Sequence, residues 1–155
     1  MDIVKSLVEF DDIRNTFTGS IGFVPTMGAL HKGHLSLIQE SNKKCDYTIV
    51  SIFVNPKQFA PNEDFNHYPR TIDTDIEQLQ LLNVDLLFIP FNNEIYNTNH
   101  PSITYKNTMF TILEGASRPH FFKGVCSVVS RLFDIIKPTH AFFGEKDFQQ
   151  LRIIE

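Results

Sequence analysis

The stretch Ile21–His34 reads IGFVPTMGALHKGH and decides the fold class. It opens on a short apolar, partly β-branched run that a proline ends, which is typical of a buried strand. A glycine-containing turn then leads into an amphipathic pattern with Leu35, Leu37 and Ile38 on its apolar side, which indicates a helix. A buried strand followed by a tight loop and a helix is the repeating unit of a parallel α/β sheet.

The same alternation continues along the chain. The first strand, Ile21–Val24, is followed by three more apolar runs with strand character, at Tyr47–Val54, Val84–Ile89 and Ala141–Phe143. Between them, apolar residues recur at steps of three and four over 72–82 and over 125–136, as they do along one face of a helix. The sequence therefore predicts a doubly wound parallel sheet with helices on both faces.

Two segments depart from this alternation. Four asparagines between positions 92 and 99, with Pro101, predict a loop within Phe91–Thr111, and Ser102–Lys106 and Met109–Leu113 have the character of short extra strands. Asp147–Glu155 predicts a last helix whose pattern still runs at the final residue. We therefore expect residues 1–155 to form one domain that was cut from a longer protein.

Composition excludes several classes of protein. The 155 residues carry 14 Lys and Arg against 18 Asp and Glu, a net charge of −4, which argues against a general nucleic-acid binder. No apolar run approaches the roughly 18 residues that span a bilayer, and the first residues lack the features of a secretory signal. Cys45 and Cys126 give neither a disulfide framework nor a zinc cluster. A cytoplasmic protein that binds neither nucleic acid nor membranes is expected.

The turn after the first strand carries the strongest candidate chemistry. Ligands of open α/β sheets bind beyond the carboxyl ends of strands, and the free N–H groups of a helix start attract anions. Gly28 and Gly33 allow close approach of the backbone, and His31 and His34 share one helical face. Two imidazoles there can donate hydrogen bonds to a phosphate. The alternatives are two surface histidines or half of a metal site, and the strand–loop–helix context favours function.

Polar groups at the ends of other predicted strands point to the same edge of the sheet. Asn55 and Gln58 follow the second strand, and Lys146 follows the last one, with Asp147 as a candidate helix cap and Gln150 one turn further. Each of these has a plain alternative as a polar loop or capping residue.

Three further cations are weaker candidates. Arg70 lies at a turn, and Arg118 and Lys123 lie near a helix start, where they suggest an anion held between them. Solvated charges are the alternative for all three. Cys126 lies in the apolar stripe and is interpreted as a core residue, since no paired base is evident.

Taken together, five stretches resemble one family. They are PTMGALHKGH, FVNPKQF, NEDFNHYPRTIDTD, GVCSVVSRLFDIIKP and FGEKDFQQL, in that order, from about Ile21 to Leu151. The set is similar to the pantoate–β-alanine ligases (pantothenate synthetases) of the H-x-G-H nucleotidyltransferase group. This resemblance implies a Rossmann-like fold and a two-step reaction. ATP and pantoate give pantoyl adenylate and pyrophosphate, and β-alanine then gives pantothenate and AMP.

The resemblance also implies roles for single residues. His34, His31 and Lys146 would be catalytic, and Gln58, Gln150 and Asn55 would hold pantoate and β-alanine. The ATP-binding residues would be Met27, Gly28, Ala29, Leu30, His31, Lys32, Gly33 and His34, followed by Gly144, Glu145, Lys146 and Asp147. Magnesium on the phosphates is expected, with its protein ligands unassigned. The full-length form is expected to be a homodimer.

Two departures from the family pattern bear on these roles. The family reads R-P-G-H-F where this chain has Arg118-Pro119-His120-Phe121-Phe122, so no role is carried onto His120 or Phe121. The C-terminal domain with its Lys-Met-Ser-type motif is absent, so we expect little turnover from this chain alone. Another H-x-G-H nucleotidyltransferase and a noncatalytic nucleotide-binding module stay open as alternatives.

Overall fold

A computed structural model describes residues 1–61, 63, 65–96 and 107–155. Its centre is a five-stranded parallel sheet in the order β1-β4-β3-β2-β5. The strands are β1 Asp2–Val4, β2 Ile21–Thr26, β3 Tyr47–Ile52, β4 Leu86–Phe88 and β5 His140–Ala141. The helices are α1 Leu7–Arg14, α2 Lys32–Lys44, α3 Ile72–Leu81, α4 Asn92–Ile95, α5 Glu114–Ser117, α6 Phe121–Ile136 and α7 Phe148–Ile154.

Apolar side chains cover both faces of the sheet, as the continuous apolar strands predict. On one face, Phe23 and Ile49 pack with the buried stripe of α6, and on the other, Val24 and Val50 pack with α2 and α3. Neighbouring residues of one strand thus enter different cores, which requires strands that are apolar at successive positions. The predicted doubly wound α/β sheet is confirmed.

The first strand and helix are additional to the prediction. β1 has three residues and, in the described part of the chain, pairs only with β4. It is too short to show the periodic sequence pattern of a strand. α1 begins with a capping box, in which the Ser6 hydroxyl accepts from the Glu9 amide while the Glu9 carboxylate accepts from the Ser6 amide. The Ser-x-x-Glu pattern at residues 6–9 is the sequence feature from which the start of α1 could have been predicted.

The region after β4 corrects two predictions. Asn92–Ile95 is a helical turn instead of a loop, because Ile95 is buried and the Glu94 carboxylate accepts from the amide of Leu7. The strand predicted at Met109–Leu113 is wrong. A 3₁₀ turn occupies Thr108–Thr111, because the Asn107 side chain accepts from the Met109 amide 2.9 Å away and favours the turn. Ser102–Lys106 lies outside the described residues.

The end of the chain follows the prediction closely. The last strand pairs at His140–Ala141, slightly earlier than expected, and the last helix is α7, whose Ile154 packs against the core of α6. Within the described ranges, no helix has the length and apolar character needed to cross a membrane.

Candidate functional site

A cavity of about 470 Å³ lies at the carboxyl edge of the sheet, where β2 and β3 end. It brings together side chains from four stretches that are far apart in sequence. Its polar wall includes Met27, His31, His34, Asn55, Gln58, Arg118, Lys146, Asp147 and Gln150, and its apolar floor includes Phe53, Val125 and Val129. The catalytic candidates and the amide-bearing candidates of the sequence analysis therefore share one cavity.

The two histidines of this wall are stacked on each other. Their ring centroids are 4.1 Å apart, with an angle of 30° between the planes. His31 is the N-cap of α2, and its Nδ1 accepts a hydrogen bond from the Gly33 amide at 3.1 Å. A neutral His31 therefore carries its proton on Nε2, which makes that nitrogen a hydrogen-bond donor.

Burial lowers the pKa of His34, and the neighbouring His31 lowers it further. Asp75 and Asp147 act in the opposite direction, and Lys146 adds to the lowering. The Nδ1 atom of His34 is buried and makes no hydrogen bond within the described structure. His34 is thus a neutral imidazole at neutral pH, with hydrogen-bonding capacity that the protein leaves unused.

The amides of the turn before α2 are already occupied. Gly28 and Ala29 both have positive φ, at 81° and 50°. The amides of Ala29 and Leu30 donate to the two carboxylate oxygens of Asp75, each at 2.9 Å, and the Gly28 amide donates to the Thr26 hydroxyl at 3.1 Å. The amides of Gly28, Ala29 and Leu30 are therefore satisfied internally, two of them by a carboxylate that the sequence analysis missed, whereas α2 itself begins only at Lys32.

Only part of the turn reaches the cavity. Of the eight residues predicted to bind ATP here, Met27, His31 and His34 line its wall. Leu30 is buried in the core beneath α2, and Lys32 and Gly33 are exposed away from the wall. Gly28 instead lines a neighbouring, more apolar cavity of about 560 Å³.

Asn55 is a support for Gln58 and has no free polar atom of its own. Its side-chain NH2 donates to Gln58 Oε1 at 3.1 Å and to the Gly124 carbonyl at 3.0 Å. Its Oδ1 accepts from the Lys57 amide and from the Tyr96 hydroxyl. Asn55 is 1% exposed and both of its polar side-chain atoms are hydrogen-bonded within the protein, so in this structure it braces Gln58.

Gln58 keeps its amide available to a ligand. Among the described residues, its Nε2 donates only to the Met27 sulfur, at 3.0 Å. A thioether is a weak acceptor that a ligand oxygen can replace.

Tyr96 was missed by sequence reasoning, since it has no local pattern around it. Burial raises its pKa to about 12, so its hydroxyl stays protonated and keeps donating to Asn55. The Lys57 ammonium lies 3.6 Å from the centre of its ring.

In the segment that leads into α7, only the later residues line the cavity. Lys146, Asp147 and Gln150 line the wall, whereas Gly144 and Glu145 are exposed outside it. Lys146 lines the same cavity as His31 and His34, as predicted, and its charge lowers the pKa of His34.

The expectation that Arg118 and Lys123 hold an anion between them is wrong. Arg118 binds both Glu63 oxygens, at 2.8 and 3.0 Å, and also binds Glu114 at 3.0 Å, so two carboxylates already neutralise it. Lys123 is exposed and lies outside the cavity wall. Phe121, at the position of the family's histidine, stacks under the Arg118 guanidinium at 4.0 Å.

Arg70 has a structural role. Its guanidinium donates to the carbonyls of Phe65, Asn66 and Tyr68 and closes the turn before α3.

The sequence profile of the family described as Pantoate-beta-alanine ligase matches residues 2–155. The chain belongs to this family. The Campylobacter fetus pantothenate synthetase is 50% identical over 155 residues, which cover all of this chain and 57% of that protein. The chain thus spans about half the length of the curated relatives that it matches.

Solved structures of the family share the fold. The Francisella tularensis pantoate-β-alanine ligase, in a complex with βγ-ATP and β-alanine, has a TM-score of 0.93 and 47% identity, covering 99% of this chain and 60% of that one. The Thermus thermophilus pantothenate synthetase has a TM-score of 0.92 and 41% identity, covering 99% of this chain and 55% of that one.

Proposed function

We propose that this chain is the ATP- and pantoate-binding part of a pantoate–β-alanine ligase. The observation that carries the proposal is the cavity at the carboxyl edge of the sheet, where two stacked histidines and Lys146 lie near two glutamine side chains. The Lys146 cation and the imidazole donors suit the phosphates of ATP, and the amides suit a small hydroxy acid. A relative's structure with βγ-ATP and β-alanine supports the same assignment.

The reaction needs no nucleophile from the protein. A carboxylate oxygen of pantoate attacks the α-phosphorus of ATP, the bond to the bridging oxygen breaks, and pyrophosphate leaves with the electron pair. The amine of β-alanine then attacks the acyl carbon of the adenylate, loses a proton and displaces AMP. The protein positions both substrates and stabilises the charge that develops on the leaving groups.

Each group on the wall has a part in this scheme. The Nε2–H of His31, the imidazole of His34 and the Lys146 ammonium donate to the phosphates. Gln58 and Gln150 hold pantoate, with Gln58 fixed by Asn55. Met27, Lys146 and Asp147 would border the nucleotide, and Asp147 would reach the ribose or the metal.

Magnesium would be held mainly by ATP itself. Among the residues that the structure describes, no group of three or more His, Cys, Asp and Glu is placed to hold a metal ion. Mg²⁺ binds through one or two carboxylates together with substrate phosphates, and Asp147 on the cavity wall fits that need. The ion would neutralise phosphate charge next to Lys146.

A chimera tests the proposed activity. The chain is joined to the C-terminal part of the Campylobacter fetus relative, and exchange of pyrophosphate into ATP is measured with a panel of acids. We expect exchange that depends on pantoate, little exchange by the chain alone, and a loss of about 10²-fold or more in the His34→Ala chimera. Exchange without pantoate would indicate another nucleotidyltransferase. A folded chimera with no exchange would indicate a noncatalytic module.

Two further expectations belong to the same proposal. The complete ligase would act as a cytoplasmic homodimer, and size measurement of the chimera by light scattering would test the dimer.

A further inference from the structure

A buried carboxylate lies directly behind the histidine pair. Asp75, on α3, is only 1% exposed, and its two oxygens accept from the amides of Ala29 and Leu30, each at 2.9 Å. The Thr71 hydroxyl adds a third hydrogen bond at 3.3 Å. Burying a carboxylate is costly unless such donors surround it, and two of the three donors belong to the turn that leads into α2.

The turn that Asp75 binds has an unfavourable backbone. Ala29 has a φ of 50°, in the left-handed region that is unfavourable for a residue with a Cβ. Gly28 has a φ of 81°, and a side chain there would bring its Cβ to 3.1 Å from Asp75 Oδ2. The turn therefore needs an external partner to hold it, and the charge-assisted bonds to Asp75 provide one.

The position of this turn sets the position of both histidine rings. His31 follows Leu30 directly and caps α2, and His34 lies in the first turn of that helix, stacked on His31. A shift of the turn would move the two rings against the cavity wall.

We infer that Asp75 is a positioning residue of the nucleotide site, whose carboxylate holds the Gly28–Leu30 turn so that His31 and His34 face the cavity. One consequence is that the Ala29 and Leu30 amides are not open to a phosphate, because Asp75 already occupies them. The part of this inference that concerns ATP rests on the proposed function.

Asp75 also acts on His34 through its charge. The charged or titratable groups that act on His34 are His31, Asp75, Asp147 and Lys146, and Asp75 is the larger of the two that raise its pKa. Removing the Asp75 charge should therefore lower the pKa of His34. A residue with a purely structural role would leave this pKa unchanged, so its measurement distinguishes the two roles.

The test compares Asp75→Asn with Asp73→Asn, an exposed position on the same helix. An asparagine keeps one oxygen acceptor but presents an NH2 group to the second loop amide. In Asp75→Asn we expect faster hydrogen exchange at Ala29 or Leu30, a lower pKa of His34 by NMR, and ATP binding that is about 10- to 100-fold weaker by calorimetry. Asp73→Asn should match the original chain in all three.

The outcomes separate this inference from the proposed function. If the original chain binds no ATP, the proposed function fails, and the NMR measurements still decide the role of Asp75. An Asp75→Asn chain that melts at a lower temperature but keeps the His34 pKa, the amide exchange and the ATP affinity would overturn the inference. If Asp75→Asn does not fold, fast exchange of both amides in the original chain would overturn it.

Discussion

At the scale of the residue, His31 and His34 are stacked on each other but differ in their surroundings. With ring centroids 4.1 Å apart, two protonated imidazoles would repel each other, and burial already opposes a charge on His34. His34 therefore meets a ligand as a neutral imidazole, next to the cation of Lys146. This arrangement suits a leaving group whose negative charge grows during the reaction.

The lowered pKa of His34 predicts a specific loss of stability in acid. The unfolded chain, with a histidine pKa near 6.5, takes up this proton before the folded chain does, so the free energy of unfolding falls as the pH drops from about 7 through the folded pKa. His34→Gln should show a shallower fall in urea denaturation between pH 8 and pH 5. The exposed His120→Gln is the control. Parallel curves for the original chain and His34→Gln would contradict the lowered pKa.

At the scale of the element, the first turn of α6 fixes the turn that carries Gln58. A Cβ on Gly124 would lie 2.4 Å from the Lys57 carbonyl oxygen and 2.7 Å from the Gln58 Cα, and the Gly124 carbonyl accepts from Asn55. The backbone of α6 therefore approaches the turn as closely as the absence of a side chain allows.

Gly124→Ala should thus disturb both stability and the pantoate subsite. We expect a loss of about 1–3 kcal/mol in the free energy of unfolding, because backbone atoms on the facing turn must shift. Lys123→Ala, the exposed neighbour on α6, should stay within about 0.5 kcal/mol of the original chain. Urea denaturation measures both variants, and equal stability of the two would show that the close approach does not matter.

A second link between elements is the pair of Arg118 and Glu63. The Arg118 guanidinium lowers the pKa of Glu63, so this pair stabilises the fold above the carboxyl's ordinary value near 4.5, and the stabilisation is lost as the pH falls through the lowered pKa. Glu63→Gln should lower the free energy of unfolding by under about 1 kcal/mol at pH 7, since the pair is partly exposed. At low pH the substitution should leave the free energy of unfolding unchanged. Glu77→Gln, exposed on α3, is the control for the denaturation measurements. A cost that persists unchanged into acid would contradict this assignment.

The sequence predicted the parts of the site that local patterns determine. Strand ends are local features, so His34, Gln58 and Lys146 were expected at one edge and line one cavity. Partners across the fold are not local, and for that reason the neutralisation of Arg118 by Glu63 and the bonding of Asn55 to Tyr96 were missed. Asp75 left one signal. It lies between Ile72 and Leu79 on the apolar stripe of α3, where a carboxylate requires a buried partner.

At the scale of the whole molecule, the proposed function requires a chain with a net charge of −4 to attract ATP. Because two carboxylates neutralise Arg118 and Lys123 lies outside the wall, this attraction would depend on Lys146, the two histidines and the proposed Mg²⁺. The central claim is that this one cavity binds ATP and pantoate side by side.

Calorimetry of the chain with Mg²⁺-ATP and then with pantoate tests that claim most directly. We expect one site for each ligand, about tenfold or greater weakening of ATP binding by Lys146→Ala, and no effect of Lys43→Ala, whose side chain pairs with Glu40 away from the cavity. Gln58→Ala should weaken pantoate and leave ATP nearly unchanged. Binding of neither ligand, or equal ATP affinity in Lys146→Ala and Lys43→Ala, would contradict the account.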